Sequence, residues 1–134
     1  FQVGDDVVAY VSNTGEFKVF QNRKVATVNT FEPDFYTVQD SIIVYGYEGY
    51  FYTYWDNSTI QLENYIPDNY RIDNSSISYI DLSGALKIFA DGATKIVTYE
   101  AIRKFVLNSD VLLYQVGIEE FKVYCNGQTY SLHD

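Results

Sequence analysis

Histidine and cysteine are scarce in this sequence, and among its 18 Asp and Glu residues nothing singles out a catalytic acid from a base. The chain of 134 residues has one histidine, His133, and one cysteine, Cys125. A Ser/His/Asp or Cys/His nucleophile system needs a histidine held inside the fold, whereas we expect His133 to be a solvated tail residue. A zinc site or an intrachain disulfide needs further cysteines or histidines. We therefore predict a protein that is not an enzyme and has no metal site of this kind, with Cys125 as a small buried apolar residue.

Polar side chains recur in adjacent pairs at intervals of 34 or 35 residues. The pairs are Asp5-Asp6, Asp40-Ser41, Asn74-Ser75 and Ser109-Asp110. If the segments that carry them surround an axis, these side chains form an axial polar ring. Asp, Asn and Ser also build tight turns, and this is our first interpretation. The alternative is a bound Ca²⁺ ion, which prefers oxygen ligands. We predict no other cofactor.

Three aromatic residues set one segment apart from its siblings. Tyr52 stands where the other segments carry lysine, while Tyr50 and Trp55 replace smaller or charged residues. Exposed Tyr and Trp combine apolar area with a polar edge, which is useful in contacts with proteins and with sugars. We predict a binding site at Tyr50, Tyr52 and Trp55. The alternative is that these rings fill a wider gap between neighbouring segments.

An internal repeat defines the elements that must position these residues. One tyrosine, preceded by a short apolar run, recurs at spacings of 35, 34 and 35 residues, as Tyr10, Tyr45, Tyr79 and Tyr114. An aliphatic residue stands seven positions before each tyrosine, and alternating apolar residues such as Phe17 and Val19 follow it. Aromatic and β-branched residues favour pleated strands. The sequence therefore predicts four copies of one all-β unit.

Turn residues divide each copy into short antiparallel strands. Asp91-Gly92 and Asn126-Gly127 supply the positive φ angles of tight hairpin turns, and Asn22-Arg23 and Asp56-Asn57 occupy the same place in the first two copies. In copy two the strands are predicted at 42–47, 50–55, 59–65 and 70–72. This arrangement leaves little room for helix.

The apolar pattern selects the architecture. The first two strands of every copy carry apolar or aromatic residues on both faces, so each small sheet is expected to be covered on both sides. Radial packing of four-stranded blades does this, and we predict an all-β β-propeller of four repeats of 34–35 residues. A β-solenoid or a chain of stacked hairpins is the alternative.

The predicted blade boundaries leave one strand out of place. We expect blades at about 4–38, 39–72, 73–107, and 108–134 together with residues 1–3. In this scheme the segment Phe1–Val3 completes the last blade, in the same chain or in a second one, which would remove an open sheet edge. Strand exchange with a second chain would make the protein a homo-oligomer.

The net charge and the hydropathy of the chain indicate which classes of partner it does not bind. The formal net charge of −9 opposes binding to the phosphate backbone of nucleic acids. No apolar stretch approaches the roughly 18 residues that a membrane-spanning helix needs. We therefore predict neither nucleic-acid binding nor membrane insertion.

The repeat resembles the short-blade β-propeller repeats of exported or cell-envelope proteins from bacteria that use type IX secretion. The residues that carry the resemblance are Ala9-Tyr10 with Gly15-Glu16-Phe17-Lys18-Val19-Phe20, and Tyr114 with Phe121-Lys122-Val123-Tyr124. The resemblance covers essentially the whole chain and implies an extracytoplasmic scaffold or binding module. Copy three departs from the pattern, with Ile102 where the others have Pro33 and Pro67.

Three functional hypotheses follow from these patterns. The first is a non-catalytic propeller that binds a protein partner, in the bacterial envelope or at a secretion apparatus. The second is a lectin whose repeated pockets bind glycans multivalently. The third is an excised or engineered propeller fragment that assembles into a larger ring.

Overall fold

The computed structural model describes residues 1–132, and His133 lies outside them. These residues form sixteen β-strands and no helix. The strands are β1 Gln2–Val3, β2 Val7–Val11, β3 Phe17–Gln21, β4 Lys24–Asn29, β5 Phe35–Gln39, β6 Ile42–Tyr47, β7 Tyr50–Trp55, β8 Ser58–Glu63, β9 Tyr70–Asp73, β10 Ser76–Ile80, β11 Leu86–Ala90, β12 Ala93–Thr98, β13 Ile102–Asn108, β14 Val111–Val116, β15 Glu120–Cys125 and β16 Gln128–Leu132.

Four consecutive strands form each sheet. Sheet 1 contains β1–β4, sheet 2 β5–β8, sheet 3 β9–β12 and sheet 4 β13–β16, and every neighbouring pair of strands is antiparallel. This confirms the predicted all-β fold of four four-stranded repeats. The chain divides into two compact units, one of residues Phe1–Ile66 with sheets 1 and 2, and one from Pro67 onward with sheets 3 and 4.

The third and fourth strands of each sheet are joined by the tight turns that the sequence predicts. Asn22 and Arg23 have φ angles of 54° and 62°, and Asp56 and Asn57 have 49° and 61°. Asn and Asp tolerate this left-handed region better than other non-glycine residues. The sign of φ at both central positions matches the right-handed twist of the two strands that they connect.

The predicted blade boundaries are wrong by one strand. Each sheet begins with the strand that was assigned to the end of the preceding blade, so β5 pairs with β6 and β9 pairs with β10. The cause is the two-residue turn Asp40-Ser41, which leaves no alternative to direct antiparallel pairing of the strands beside it. The longer connection at residues 30–34 is the link between two sheets.

The N-terminal strand is therefore not the missing strand of the last sheet. Gln2 pairs with Ala9 and Val3 with Val8, both inside sheet 1, and sheet 4 has four strands of its own. Strand exchange through residues 1–3 is not needed to complete any of the four sheets.

In the first unit, sheets 1 and 2 pack face to face. The buried residues of this core are Val7, Ala9, Phe17 and Val19 from sheet 1 and Ile43, Tyr45 and Tyr54 from sheet 2. Residues two apart on one strand point to the same side, so a single face of each sheet supplies the whole set.

The second unit repeats the same packing. Leu86 and Ile88 of sheet 3 meet the sheet 4 residues Leu112, Tyr114, Val116 and Tyr124 in a second buried cluster. The sheet 4 residues occupy the same repeat positions as the sheet 2 residues in the first unit. One kind of sheet-to-sheet contact is thus used in both units.

Hydrogen bonds from one side chain of sheet 1 to the backbone of sheet 2 also join these two sheets. The side-chain amide of Gln2 donates a hydrogen bond to the Tyr36 carbonyl oxygen and accepts one from the Val38 N–H, each at 2.7 Å. Gly4 lies so close to β5 that an added Cβ would overlap the Asp40 carbonyl oxygen. A glutamine therefore extends the backbone pairing from sheet 1 to sheet 2.

Candidate interaction surface

Two sets of contacting aromatic rings lie in the first unit and meet at the cross-strand pair of Tyr47 and Tyr50, and we call the whole group the aromatic ladder. It consists of Phe17, Tyr36, Tyr45, Tyr52, Tyr50, Tyr47 and Phe31. The inner rings are in close contact: Phe17 lies 5.0 Å from Tyr36 and 5.2 Å from Tyr45, and Tyr45 stacks on Tyr52 at 5.0 Å, as measured between ring centroids. Offset and edge contacts at these distances stabilise aromatic pairs beyond the area that they bury.

The outer end of the ladder reaches solvent. Tyr52 lies 6.3 Å from Tyr50, which pairs across the strands with Tyr47, and Tyr47 stacks on Phe31 at 6.3 Å with the ring planes 6° from parallel. Phe31 is 62% exposed and Tyr50 is 40% exposed. Apolar rings of this size are seldom left in water without a partner when they lie side by side.

Carboxylates surround the outer rings. Partial burial raises the pKa of Tyr47, and the negative charges of Glu48 and Asp34 raise it further. Burial also raises the pKa of Tyr45, although a hydrogen bond with Thr59 opposes the shift. Both hydroxyls stay protonated at neutral pH and can donate hydrogen bonds. The outer end of the ladder is thus apolar in its rings and anionic at its border.

The structure brings together two of the three aromatic residues that the sequence singled out. Tyr50 and Tyr52 lie on one face of β7, in contact with each other. Trp55 is an odd number of residues away on the same strand, so its side chain projects from the opposite face, where it is partly buried. The trio is therefore not one surface, and the partly buried Tyr52 packs against the core cluster.

The residues equivalent to Tyr52 in sheets 3 and 4 are lysines that form ion pairs. In sheet 3 the equivalent Lys87 pairs with Asp81 at 3.1 Å, and in sheet 4 the equivalent Lys122 pairs with Glu100 at 2.7 Å. Burial alone would raise the pKa of Asp81, but hydrogen bonds from Ser83 and the Ala85 N–H, together with Lys87, lower it to about 2. Sheet 2 has a ring stack where sheets 3 and 4 have an ion pair.

The polar residues of the predicted axial ring lie in the turns between the first and second strands of each sheet. In the first unit the Asp5 N–H donates to the Asp40 carbonyl oxygen at 2.6 Å. In the second unit Asn74 Nδ2 donates to Ser109 Oγ, and the Ser109 N–H donates to Asp73 Oδ2 at 2.6 Å. The turns of adjacent sheets within a unit are thus hydrogen-bonded to one another.

Backbone angles favour the turn-forming interpretation of these residues. Asp6, Asp40, Asn74 and Ser109 have φ angles between 51° and 59°, which turn residues adopt. Asn74, Ser75, Ser109 and Asp110 also border one cavity of about 180 Å³ in the second unit. Whether the residues of the two units complete one ring, and whether it takes up Ca²⁺, stays a prediction that titration calorimetry can test.

Among residues 1–132 no three His, Cys, Asp or Glu side chains are grouped so that they could hold a metal ion. The thiol of Cys125 is only partly buried, contrary to expectation, because its face of sheet 4 is open to solvent. No helix in the described part of the chain is long and apolar enough to span a membrane.

The sequence interpretation missed the outermost ring of the ladder. Phe31 stands in the connection between β4 and β5, outside the repeated strand positions. Its neighbours Asn29, Thr30 and Glu32 are polar. Only the isolation of one large aromatic residue among these polar ones could have pointed to it.

Comparison with known proteins supports the architecture. A family model described as a 10-bladed beta propeller domain matches residues 1–130. Among solved structures, the N-terminal domain of Nup159 is similar, with a TM-score of 0.50 and 8% sequence identity, over 96% of this chain and 41% of that one. The chain thus spans about two fifths of the length of that structure, and at this identity the likeness concerns the fold alone. No curated protein matches the chain. Because the family match runs through all four sheets, the chain belongs to the family of 10-bladed β-propeller domains.

Proposed function

We propose that this protein is a non-catalytic β-propeller module that binds a protein partner through the outer end of the aromatic ladder. The observation that carries the proposal is the presence of two exposed rings, Phe31 and Tyr50, at one end of the ladder. Phe31 stacks on the half-buried Tyr47, the cross-strand partner of Tyr50, and Tyr50 contacts Tyr52 further in. Because the inner rings restrict the outer ones, little side-chain conformational entropy is lost on binding. Rigid aromatic anchors of this kind dominate the energetics of many protein interfaces.

The border of the surface suggests the chemistry of the partner. Glu32, Asp34 and Glu48 are exposed beside the outer rings, and the chain as a whole carries a net charge of −9. An arginine or lysine of the partner can pair with these carboxylates and lie over a ring face. We infer a partner segment that contains basic and apolar side chains.

The setting of this function is also a proposal. The resemblance to short-blade repeats of exported and cell-envelope proteins supports an extracytoplasmic scaffold, in the bacterial envelope or at a secretion apparatus. Detection of the protein in periplasmic, surface or culture-medium fractions would support this placement, and its recovery only from the cytoplasm would refute it.

Selection of peptides tests the binding surface directly. A phage-displayed library of random peptides is panned against the wild-type protein, and the enriched peptides are then measured against the double variant Phe31→Ala/Tyr50→Ala. We expect enrichment of Arg- or Lys-containing peptides and a loss of binding of at least about tenfold in the variant. Tyr99→Ala is the matched control, since Tyr99 is 75% exposed and lies outside the ladder. Peptides that bind the double variant as well as the wild type would refute the proposal.

Carbohydrate binding is the second candidate, and one observation favours it. Phe31 and Tyr50 offer ring faces, while the Tyr47 hydroxyl lies near the Glu48 and Asp34 carboxylates, a combination that also suits a sugar ring and its hydroxyls. A glycan array separates the two candidates. Specific glycan signals that weaken in Tyr50→Ala would favour the lectin, and silence on the array would favour the protein-binding module.

A further inference from the structure

A groove of about 360 Å³ lies between sheets 3 and 4 of the second unit, and we call it the sheet 3/4 groove. Its floor contains the buried side chains of Ile88 and Tyr124, and Asp91, Lys95, Asp110 and Asn126 stand exposed at its border. Both walls belong to neighbouring sheets of one unit, so the groove does not depend on sheets outside that unit. A cavity of this volume, with an apolar floor and a few polar groups, is typical of small-molecule sites.

The hydroxyl of Tyr124 opens into this groove without a partner. Tyr124 is 8% exposed, and within residues 1–132 its hydroxyl makes no hydrogen bond. Every fully enclosed side-chain nitrogen or oxygen of the described residues has a hydrogen-bond partner. The Tyr124 hydroxyl must therefore reach an accessible surface, and the sheet 3/4 groove is the surface that Tyr124 lines. Because the hydroxyl of a buried tyrosine usually has a partner, a ligand in the groove is a suitable one.

The first unit has the same feature at the equivalent place. Tyr54 occupies the repeat position of Tyr124 and lines a groove of about 240 Å³ between sheets 1 and 2. It is 9% exposed, and its hydroxyl also makes no hydrogen bond within the described residues. Sheets 1 and 3 have Phe20 and Phe89 at this position. Strand packing therefore accepts phenylalanine here, and the hydroxyl is present in the two sheets whose tyrosine lines a groove.

The charges at the border of the sheet 3/4 groove indicate the class of ligand. Asp91 and Asp110 repel an anion, Lys95 repels a cation, and the described residues offer no group of three acidic or histidine ligands for a metal ion. A neutral ligand with several hydroxyls satisfies all of these groups. Its hydroxyls can donate to the two carboxylates and accept from Lys95 and Tyr124. Its C–H groups can lie on the apolar floor at Ile88, and a sugar ring combines these properties.

We propose that the sheet 3/4 groove binds one sugar ring, either as a free monosaccharide or as the terminal residue of a glycan. Asp91, Asp110 and Tyr124 hold the hydroxyls of the ring. The site lies in the second unit, away from the aromatic ladder of the first unit. Binding of a protein partner at the ladder and binding of a sugar in the groove can therefore fail separately.

NMR titration of the ¹⁵N-labelled protein tests the proposal. The probes are free D-glucose, D-galactose, D-mannose and N-acetyl-D-glucosamine, each added to saturation. We expect at least one of them to shift the backbone amide signals of Asp91, Asp110 and Gly127. Tyr124→Phe should weaken this binding by about 2- to 12-fold, since it removes one hydrogen bond. Tyr54→Phe is the matched control, because it makes the same change in the first unit and should leave the affinity of the sheet 3/4 groove unchanged.

The double variant Asp91→Asn/Asp110→Asn keeps the test valid if Tyr124→Phe does not fold, because both carboxylates are exposed. Loss of two charged acceptors should weaken sugar binding at least about tenfold. A glycan array distinguishes the two sources: a site for a terminal glycan residue gives array signals that the double variant loses, whereas a site for a free sugar gives NMR shifts alone.

Three results would overturn the proposal. The first is that no sugar shifts the groove signals and no array signal depends on Asp91 and Asp110. The second is that the double variant binds sugars as tightly as the wild type. The third is that L-arginine or acetate shifts the groove signals while every sugar leaves them unchanged, because the groove would then take an ionic ligand.

Discussion

Replacement of Gln2 by alanine removes the side chain that joins sheet 1 to sheet 2. The Gln2 amide makes two hydrogen bonds to the backbone of β5, one to the Tyr36 carbonyl oxygen and one from the Val38 N–H. Alanine can make neither. Since Tyr36 and Val38 are only half-buried, water can reach part of the vacated space and satisfy the two groups incompletely.

The expected loss follows from the number of bonds and their exposure. A hydrogen bond contributes about 0.5 to 1.5 kcal/mol net, and an unpaired buried group costs more. For two bonds with partial access of water we expect a decrease of about 1 to 2 kcal/mol in the free energy of unfolding. With a urea dependence of about 1 to 3 kcal/mol per molar, the midpoint should fall by roughly 0.3 to 2 M.

Urea unfolding monitored by tryptophan fluorescence measures this change. Trp55 is the single tryptophan and lies in sheet 2, so it reports on the unit that contains Gln2. Gln61→Ala is the matched control, because Gln61 is exposed on β8 and its loss should change stability by less than about 0.5 kcal/mol. A Gln2→Ala midpoint that equals the control would refute the bridging role of this amide.

Close contacts and charges give three further predictions. Gly4→Ala should destabilise the first unit by more than about 2 kcal/mol in the same assay. The added Cβ would overlap the Asp40 carbonyl oxygen and lie 2.7 Å from Val38 Cγ1. An unchanged midpoint would contradict this close approach of sheet 1 to sheet 2. Tyr52→Ala should cost about 2 to 3 kcal/mol, because Tyr52 stacks on Tyr45, and a neutral effect would contradict its place in the core. Asp81 has a folded-state pKa of about 2, below its usual value of 3.8. Its ionised form therefore contributes about 1 kcal/mol to the free energy of unfolding, after screening by solvent. This contribution is present above about pH 4 and is lost as the pH falls toward 2. The stability difference between wild type and Asp81→Asn in urea should therefore shrink across that pH range, and a constant difference would refute the assignment.

The repeat and its strand content could be predicted because they follow from local pattern. The tyrosines at spacings of 34 and 35 residues and the apolar alternation around them locate β2, β6, β10 and β14. The phase of the repeat could not be read from periodicity, since any strand of a cyclic pattern can be taken as the first. The two-residue turn at Asp40-Ser41 contained the missing information, because strands joined so tightly pair with each other.

The candidate surface was predicted in part. Comparison of the copies drew attention to Tyr50 and Tyr52, and the strand period of two already places Trp55 on the other face. Phe31 and the Gln2 bridge depend on how one sheet packs against the next. Contacts of that kind join residues far apart in sequence, and no local pattern specifies them.

Calorimetric titration tests the proposed binding surface most directly. An enriched basic peptide is titrated into the wild type, into Phe31→Ala/Tyr50→Ala and into Tyr99→Ala. We predict a dissociation constant at least about tenfold weaker for the double variant, equivalent to about 1.4 kcal/mol or more, and an unchanged constant for Tyr99→Ala. Equal affinity for all three proteins would contradict the assignment of the aromatic ladder as the site where a partner binds.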